Sequence, residues 1–185
     1  VLTVILIALF LTIMVLVSKI QGTARVVNYA GLVRGKTQRI IKLEDAKQPQ
    51  DEMIESVSSF IEGLRYGSDE QNLVRLDDHA FQNKMKELDE HFQELQKEIR
   101  QVRKEGYENT EIIEKSEAFF GICDEATGLA EKYAQKKATA LERLEKIVIA
   151  DIIGLVCLLA YELIKAVKYA AQNKALKKKV YLDEA

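Results

Sequence analysis

Apolar and polar positions follow helical spacing along most of this chain, and in two stretches the polar positions almost vanish. Val1 to Val17 holds only apolar residues and Thr. A bilayer span needs about 20 such residues, which this run reaches once a few residues are restored ahead of Val1. The rival reading is a cleaved signal peptide, but no small-residue cleavage site follows and the helical pattern runs on through Ser18. Ile147 to Ile164 is the second run, bordered by Lys146 and Lys165, with Tyr161 at an interfacial position. Asp151 and Glu162 stand near its two ends, where an acid costs less than at the centre of a span.

Between these runs the pattern predicts four amphipathic helices. The first continues from the apolar run to about Lys47 and carries two stripes at spacings of four and three. Thr23, Val26, Ala30, Val33, Thr37 and Ile40 form the cleaner stripe, suited to a bundle core. Ile20, Ala24, Val27, Gly31, Arg34, Gln38 and Ile41 form the other, apolar at its ends and polar in the middle. Pro49 ends this helix and suits the first turn of the next. Met53, Ile54, Val57, Ile61 and Leu64 give the second helix its apolar face up to about Tyr66, and Gly67-Ser68-Asp69 is a turn. Leu73, Val74 and Leu76 are expected to form a short helical patch over the bundle end. Asp77 or Asp78 is the expected cap of the third helix. Its seam, Phe81, Met85, Leu88, Phe92, Leu95, Ile99 and Val102, is a heptad repeat that Gly106 stops. Asn109 or Thr110 is expected to cap the fourth helix, with Ile113, Phe120, Cys123, Thr127, Ala130, Ala134, Leu141 and Leu144 on one face. No break separates that helix from the second apolar run.

The fold class that follows is all-α: a membrane-anchored antiparallel four-helix bundle whose first and last helices continue into two transmembrane helices. The expected divisions are a first span over 1–18, an extracytoplasmic bundle over 19–146, a second span over 147–165 and a cytoplasmic signalling helix over 166–185. Lys165, Lys168, Lys174, Lys177, Lys178 and Lys179 face only Asp183 and Glu184 in the tail, which places the C-terminus in the cytoplasm by the positive-inside tendency.

Composition narrows the function. Lys and Arg total 27 against 29 Asp and Glu, so the chain is no electrostatic nucleic-acid binder. A single proline and no tryptophan agree with long helices. His79 and His91 lie far from either cysteine, so no zinc site is legible and no metal or cofactor is expected. No nucleophile triad or glycine-rich phosphate loop is present, so no enzyme activity is expected of these residues. Cys123 and Cys157 lie in different surroundings and imply no intrachain disulfide; Cys123 reads as a core thiol or as a cross-dimer pair.

One segment departs from ordinary helix composition: Asn28-Tyr29-Ala30-Gly31-Leu32-Val33-Arg34-Gly35-Lys36-Thr37-Gln38-Arg39. Gly31 and Gly35 each cost a helix about 1 kcal/mol relative to Ala, and glycines four apart let a backbone or ligand approach. Arg34 adds a planar fork that suits small anions. A polar helix that happens to hold two glycines is the alternative. The candidate ligand-binding residues are Arg34, Asn28, Gly31, Gly35, Thr37, Gln38 and Arg39, in a site shared by a parallel homodimer.

This segment resembles a box in the first periplasmic helix of nitrate-sensing histidine kinases and type IV pilus chemoreceptors, approximately Asn-x-Ala-Gly-x-x-Arg-x-x-(Ser/Thr)-x-Arg. Asn28, Ala30, Gly31, Arg34, Thr37 and Arg39 fall in register. The resemblance implies that Arg34 holds an anion between the first helices of a dimer. It departs at Gly35, where those nitrate sensors tend to carry Met, so it does not name nitrate. The last nine residues, Lys177 to Ala185, resemble the linker into a diguanylate cyclase (GGDEF) domain. Together the resemblances imply the sensor half of a two-pass protein of the bacterial cytoplasmic membrane, with a cyclic di-GMP output beyond these residues. Its partners would be a second copy, a small anionic ligand and the lipid bilayer. A histidine-kinase or chemoreceptor sensor, and a ligand-free helical scaffold, are the other expectations.

Overall fold

The computed structural model describes Leu2–Asp183; Val1, Glu184 and Ala185 lie outside it. Side chains are described between Ile7 and Ala175, apart from Leu16 and Lys19, so the tail resemblance falls wholly outside the described side chains. Four helices carry the chain: α1 (Leu2–Asp45), α2 (Asp51–Tyr66), α3 (His79–Glu105) and α4 (Ile112–Asp183), with a 3-10 turn (Tyr107–Asn109) before α4. Among the described residues there is no β-strand. At about 1.5 Å per residue, the 44 residues of α1 and 72 of α4 make rods of roughly 66 and 108 Å.

The core is built from the seams predicted above. Thr23, Val26, Ala30, Val33, Thr37 and Ile40 of α1 are all buried, as are the seven α3 residues from Phe81 to Val102. Val57, Ile61 and Leu64 complete the core from α2. In α4 Cys123 and Ala130 are buried as expected and Phe120 partly so, but Ile112, Ser116, Phe119 and Ala126 complete the inward face, while Ile113 is 61% exposed. The heptad in α4 runs through small and polar residues, so apolar content alone selected a neighbouring stripe. Phe119 meets Phe92 of α3 with ring centroids 5.6 Å apart.

The contacts fix the chain sense of each helix pair. Tyr29 meets Phe60, Lys36 donates to Ser56, and Glu44 accepts from the Gln50 N–H, so rising numbers on α1 meet falling numbers on α2. Ser58 bonds Gln96 and Arg65 bonds Asp89 between α2 and α3. Lys84 pairs with Glu125 and Glu98 with Lys115 between α3 and α4. Arg34 of α1 pairs with Asp124 of α4, and the Tyr107 hydroxyl donates to the Ile41 carbonyl.

Helix ends follow local chemistry, with two corrections. Asp78 accepts from the Phe81 N–H at 2.9 Å and caps α3, which Gly106 ends at φ 83°. Residues 73–76 form no helical patch. Ser68 and Leu73 exchange two backbone hydrogen bonds in an isolated bridge, because Gly67 and Asn72 both take positive φ and turn the chain. Leu73 and Leu76 still plug the bundle end. Neither Asn109 nor Thr110 caps α4. The Thr110 hydroxyl donates back to the Tyr107 carbonyl, and the Glu98 carboxylate of α3 accepts the Glu111 N–H instead.

At the end of the bundle away from the apolar runs, Glu44 is buried and accepts two bonds from Arg103, at 2.6 and 2.9 Å, while Arg103 also reaches Asp51. Glu44, with Asp51 adding to it, raises the Arg103 pKa against the opposing effect of burial. At the other end, α1 and α4 each contain a stretch long and apolar enough to cross a membrane. Only 6% and 0% of those windows is buried inside the chain, so neither acts as a core helix here.

The Lys115 ammonium holds the Glu98 carboxyl below the ordinary carboxylate range, against its burial. A carboxylate lowered in the folded state contributes stability above its unfolded pKa of about 4.3, and that stability is lost as pH falls through the folded value. Glu98→Gln should therefore lower stability at neutral pH and flatten its decline below about pH 5. Denaturant unfolding of the full chain in detergent across pH reads both effects, and parallel wild-type and variant profiles would contradict them.

Candidate functional site

The glycine and cation segment lies in the middle of α1, and the core stripe decides what each residue can do. With Val26, Ala30, Val33 and Ile40 inward, Asn28, Gly31, Gly35 and Gln38 form an exposed ribbon at heptad spacing. Leu32 and Arg39 flank it on one side, also exposed. Arg34 lies at its other edge, half-buried against α4. Thr37 is fully buried on the core side, and its hydroxyl donates to the Val33 carbonyl at 2.8 Å. By helical register Gly31 and Gln38 lie next to Arg34 on α1, Gly35 and Asn28 stand about 100–120° round the helix from it, and Thr37 faces the core.

The cations of the segment have distinct neighbours. Lys36 donates to Ser56 at 2.9 Å and sits 4.9 Å from the Phe60 ring centroid, so it ties α1 to α2. Arg34 contacts Asp124 at 3.0 Å, with the two side chains 43% and 57% exposed. The Arg34 Nε is buried and has no hydrogen-bond partner. Sequence periodicity places no acid on the α1 stripe that holds Arg34. The partner comes from α4, and no spacing rule within one helix could have found it. Arg39 has no ion pair among the described residues.

Gly31 and Gly35 have nothing within 4 Å of where a Cβ would stand. Neither glycine is required for close approach inside this chain, and both leave the ribbon open. Next to it, Gln38, Ile41, Lys42, Tyr107, Glu117 and Phe120 line a shallow cavity of about 280 Å³ between α1 and α4. Burial pushes the Tyr107 hydroxyl up to about 12, with Asp45 and Glu44 adding to it, so that hydroxyl stays protonated as the donor to Ile41.

Other reactive groups are quiet. Cys123 is wholly buried, which fits a core thiol and leaves no surface for a cross-dimer pair. Burial pushes its thiol up to about 12, with Asp124 adding to the rise and Arg34 opposing it. Among the described residues no group of three or more His, Cys, Asp or Glu is placed to hold a metal ion.

Because the space at both glycines is open, Gly31→Ala and Gly35→Ala should each stabilise α1 by about 1 kcal/mol in a monomeric preparation. Chemical unfolding of the full chain in detergent, diluted until monomeric, measures this. Destabilisation by either alanine would show a contact that the single chain lacks.

No curated protein and no solved structure matches the chain. A family profile does match: that of the type IV pili methyl-accepting chemotaxis transducer N-terminal region, PilJ, over residues 15–112. The match spans the segment holding Arg34, all of α2 and α3, and the start of α4, which is just over half of the sequence. The chain therefore belongs to the PilJ family, a family of sensory rather than catalytic regions found in chemoreceptor-type transducers.

Proposed function

We propose that this chain is the ligand-sensing and membrane-spanning region of a two-pass transducer in the bacterial cytoplasmic membrane. In this reading residues 19–146 form an extracytoplasmic antiparallel four-helix bundle. Residues 1–18 and 147–165 are the spans, and 166–185 enter the cytoplasm. The opposed chain sense of each contacting helix pair supports the bundle. The two unburied apolar stretches support the spans. A second copy covers the exposed ribbon of α1, and a small anion binds between the two Arg34 side chains, with Asn28, Gly31, Gly35 and Gln38 around it.

The observation that carries the reading is the state of Arg34. Among the described residues its one ion-pair partner is exposed and its Nε has no hydrogen-bond partner, and it joins the two helices that run on into the apolar stretches. An exposed ion pair is worth about 0–1 kcal/mol. Charge-assisted hydrogen bonds to an anion are worth about 1.5–3 kcal/mol each. A planar anion shared by two arginines would outcompete Asp124 and also relieve their mutual repulsion. Binding would then release the tie between α1 and α4 and favour a different axial position of one against the other. Such coupling requires only that the ligand prefer one arrangement.

The ligand-free scaffold has one observation in its favour: Asp124 already gives Arg34 a partner, so the polar gap in the α1 stripe does not by itself demand a ligand. The family description supports a chemotaxis-type output. A diguanylate cyclase output rests on the tail resemblance alone.

Two measurements test the reading. In calorimetry of the full chain in nanodiscs against a panel of small anions, Arg34→Ala should weaken binding about tenfold or more. Arg34→Lys should restore only part of it, since the planar fork is lost, and Asp124→Ala should tighten binding. An affinity indifferent to Arg34, or a wild type that binds no anion, would leave the scaffold. For topology, single cysteines at Asp89 and Asn173 in a background without native cysteine should differ on intact cells. An impermeant thiol reagent should label the first and spare the second, and equal labelling would refute the two-span arrangement.

A further inference from the structure

A second cationic site lies where the bundle meets the proposed membrane, away from Arg34. Asp78 and Ala80 at the start of α3, and Lys132, Lys136, Thr139 and Arg143 of α4, line a cavity of about 580 Å³. The three cations recur at helical spacing, so they share one face of α4. None of the three has an ion pair among the described residues, whereas Lys146 on the same helix is paired with Glu142 at 2.9 Å. Nearby, Lys137 is drawn 5.1 Å above the Tyr133 ring. Asp78 is the acid in the cavity, and its carboxylate is engaged by the Phe81 N–H. Glu131, Glu142 and Glu145 lie on α4 but do not line the cavity.

Helix register explains why this face is bare. Lys84 pairs with Glu125, so α3 begins level with about residue 131 of α4. Beyond that level α3 itself no longer lies beside α4, and Val74 of the α2–α3 connection lies against Gly22 of α1. Arg34 pairs with Asp124, so Val17, the last residue of the first apolar run, lies level with about residue 141. The cavity lies between the start of α3 and this part of α4, on the side toward the apolar run. Arg143 stands at the level of that surface. Lys136 stands about 8 Å above position 141 at 1.5 Å per residue. The headgroup layer is about 5–8 Å deep, and a lysine side chain extends well below its own Cα while its stem lies along apolar surface.

We infer that this shelf binds the phosphodiester headgroup of an anionic phospholipid in the outer leaflet, held by Lys136 and Arg143, with Lys132, about 14 Å above position 141, attracting it from farther up the same face. The inference rests on the two-span reading but not on any ligand at Arg34. Lys136 and Arg143 line one cavity without an ion pair among the described residues, and a phosphate between them would supply the counter-charge. Its consequence is positional: α4 would be clamped to the bilayer next to the start of its apolar run.

The test uses the full chain in detergent micelles, with native mass spectrometry counting retained phosphatidylglycerol against phosphatidylcholine. Wild type should prefer phosphatidylglycerol. The triple variant K132Q/K136Q/R143Q should lose about tenfold or more of that preference. The charge-conserving K132R/K136R/R143K should keep it, which guards against a folding defect in the first variant. Neutralising Lys97, Arg100 and Lys104, at the far end of α3, should change nothing. Equal retention by the glutamine variant overturns the proposal. So does binding of inorganic phosphate that the glutamine variant abolishes while phosphatidylglycerol retention stays unchanged, since the ligand would then be soluble. Thiol labelling at Asp89 and Asn173 reports the two-span arrangement separately, so a failure there is distinguishable from a failure of lipid binding.

Discussion

The packing of α1 against α4 is the interaction on which the rest of this molecule depends. It is the broadest helix contact in the chain, and it joins the two helices that carry the apolar stretches. Small side chains make it possible: Ala30 on α1 and Cys123, Ala126 and Ala130 on α4 are all buried. Larger residues at these places would hold the helices apart. The register they set brings Arg34 level with Asp124, while the separate α3–α4 register, marked by Lys84 and Glu125, ends α3 before the lower part of α4.

Polar ties from α1 to its neighbours grade along its length, to α3 and the 3-10 turn at one end and to α4 in the middle. At the end away from the apolar runs, Glu44 is almost completely removed from water and bound twice by Arg103, and Tyr107 holds the Ile41 carbonyl. A buried carboxylate left without its partner is strongly destabilising, so that end behaves as a fixed anchor. In the middle the tie is Arg34 with Asp124, two half-exposed side chains of small net worth. Below it α1 and α4 continue as apolar rods. The polar ties of α1 thus weaken from its far end toward the middle. This gradient suits a sensory family better than a uniform core would.

The site residues fall into two kinds. Asn28, Gly31, Gly35 and Gln38 form an open ribbon with no role in the single chain's core, and Thr37 belongs to that core. Lys36 is structural in the same sense, since it bridges to α2 through Ser56 and Phe60. Proximity in sequence to Arg34 therefore does not imply a shared purpose, because residues one apart on a helix point about 100° away from each other.

The sequence by itself determined the all-helical class, the four helices and the seams of α1, α2 and α3. Periodicity of apolar residues and strong stop signals at Pro49, Gly67 and Gly106 are local information. It also marked both apolar runs and the unusual composition around Arg34. What it could not determine were features whose partners lie far away in the chain. The α4 seam runs through Ser116 and Ala126, whose burial depends on neighbours and not on their own hydrophobicity. The cap of α4 comes from Glu98 on another helix, and the bridge at Ser68 and Leu73 replaces a helix because two positive-φ residues turn the chain there. The partner of Arg34 is ninety residues away on α4. The bare cationic shelf exists only because α3 starts where it does. Helical spacing specifies which side chains share a face, but only the packed register specifies which faces meet and which are left open.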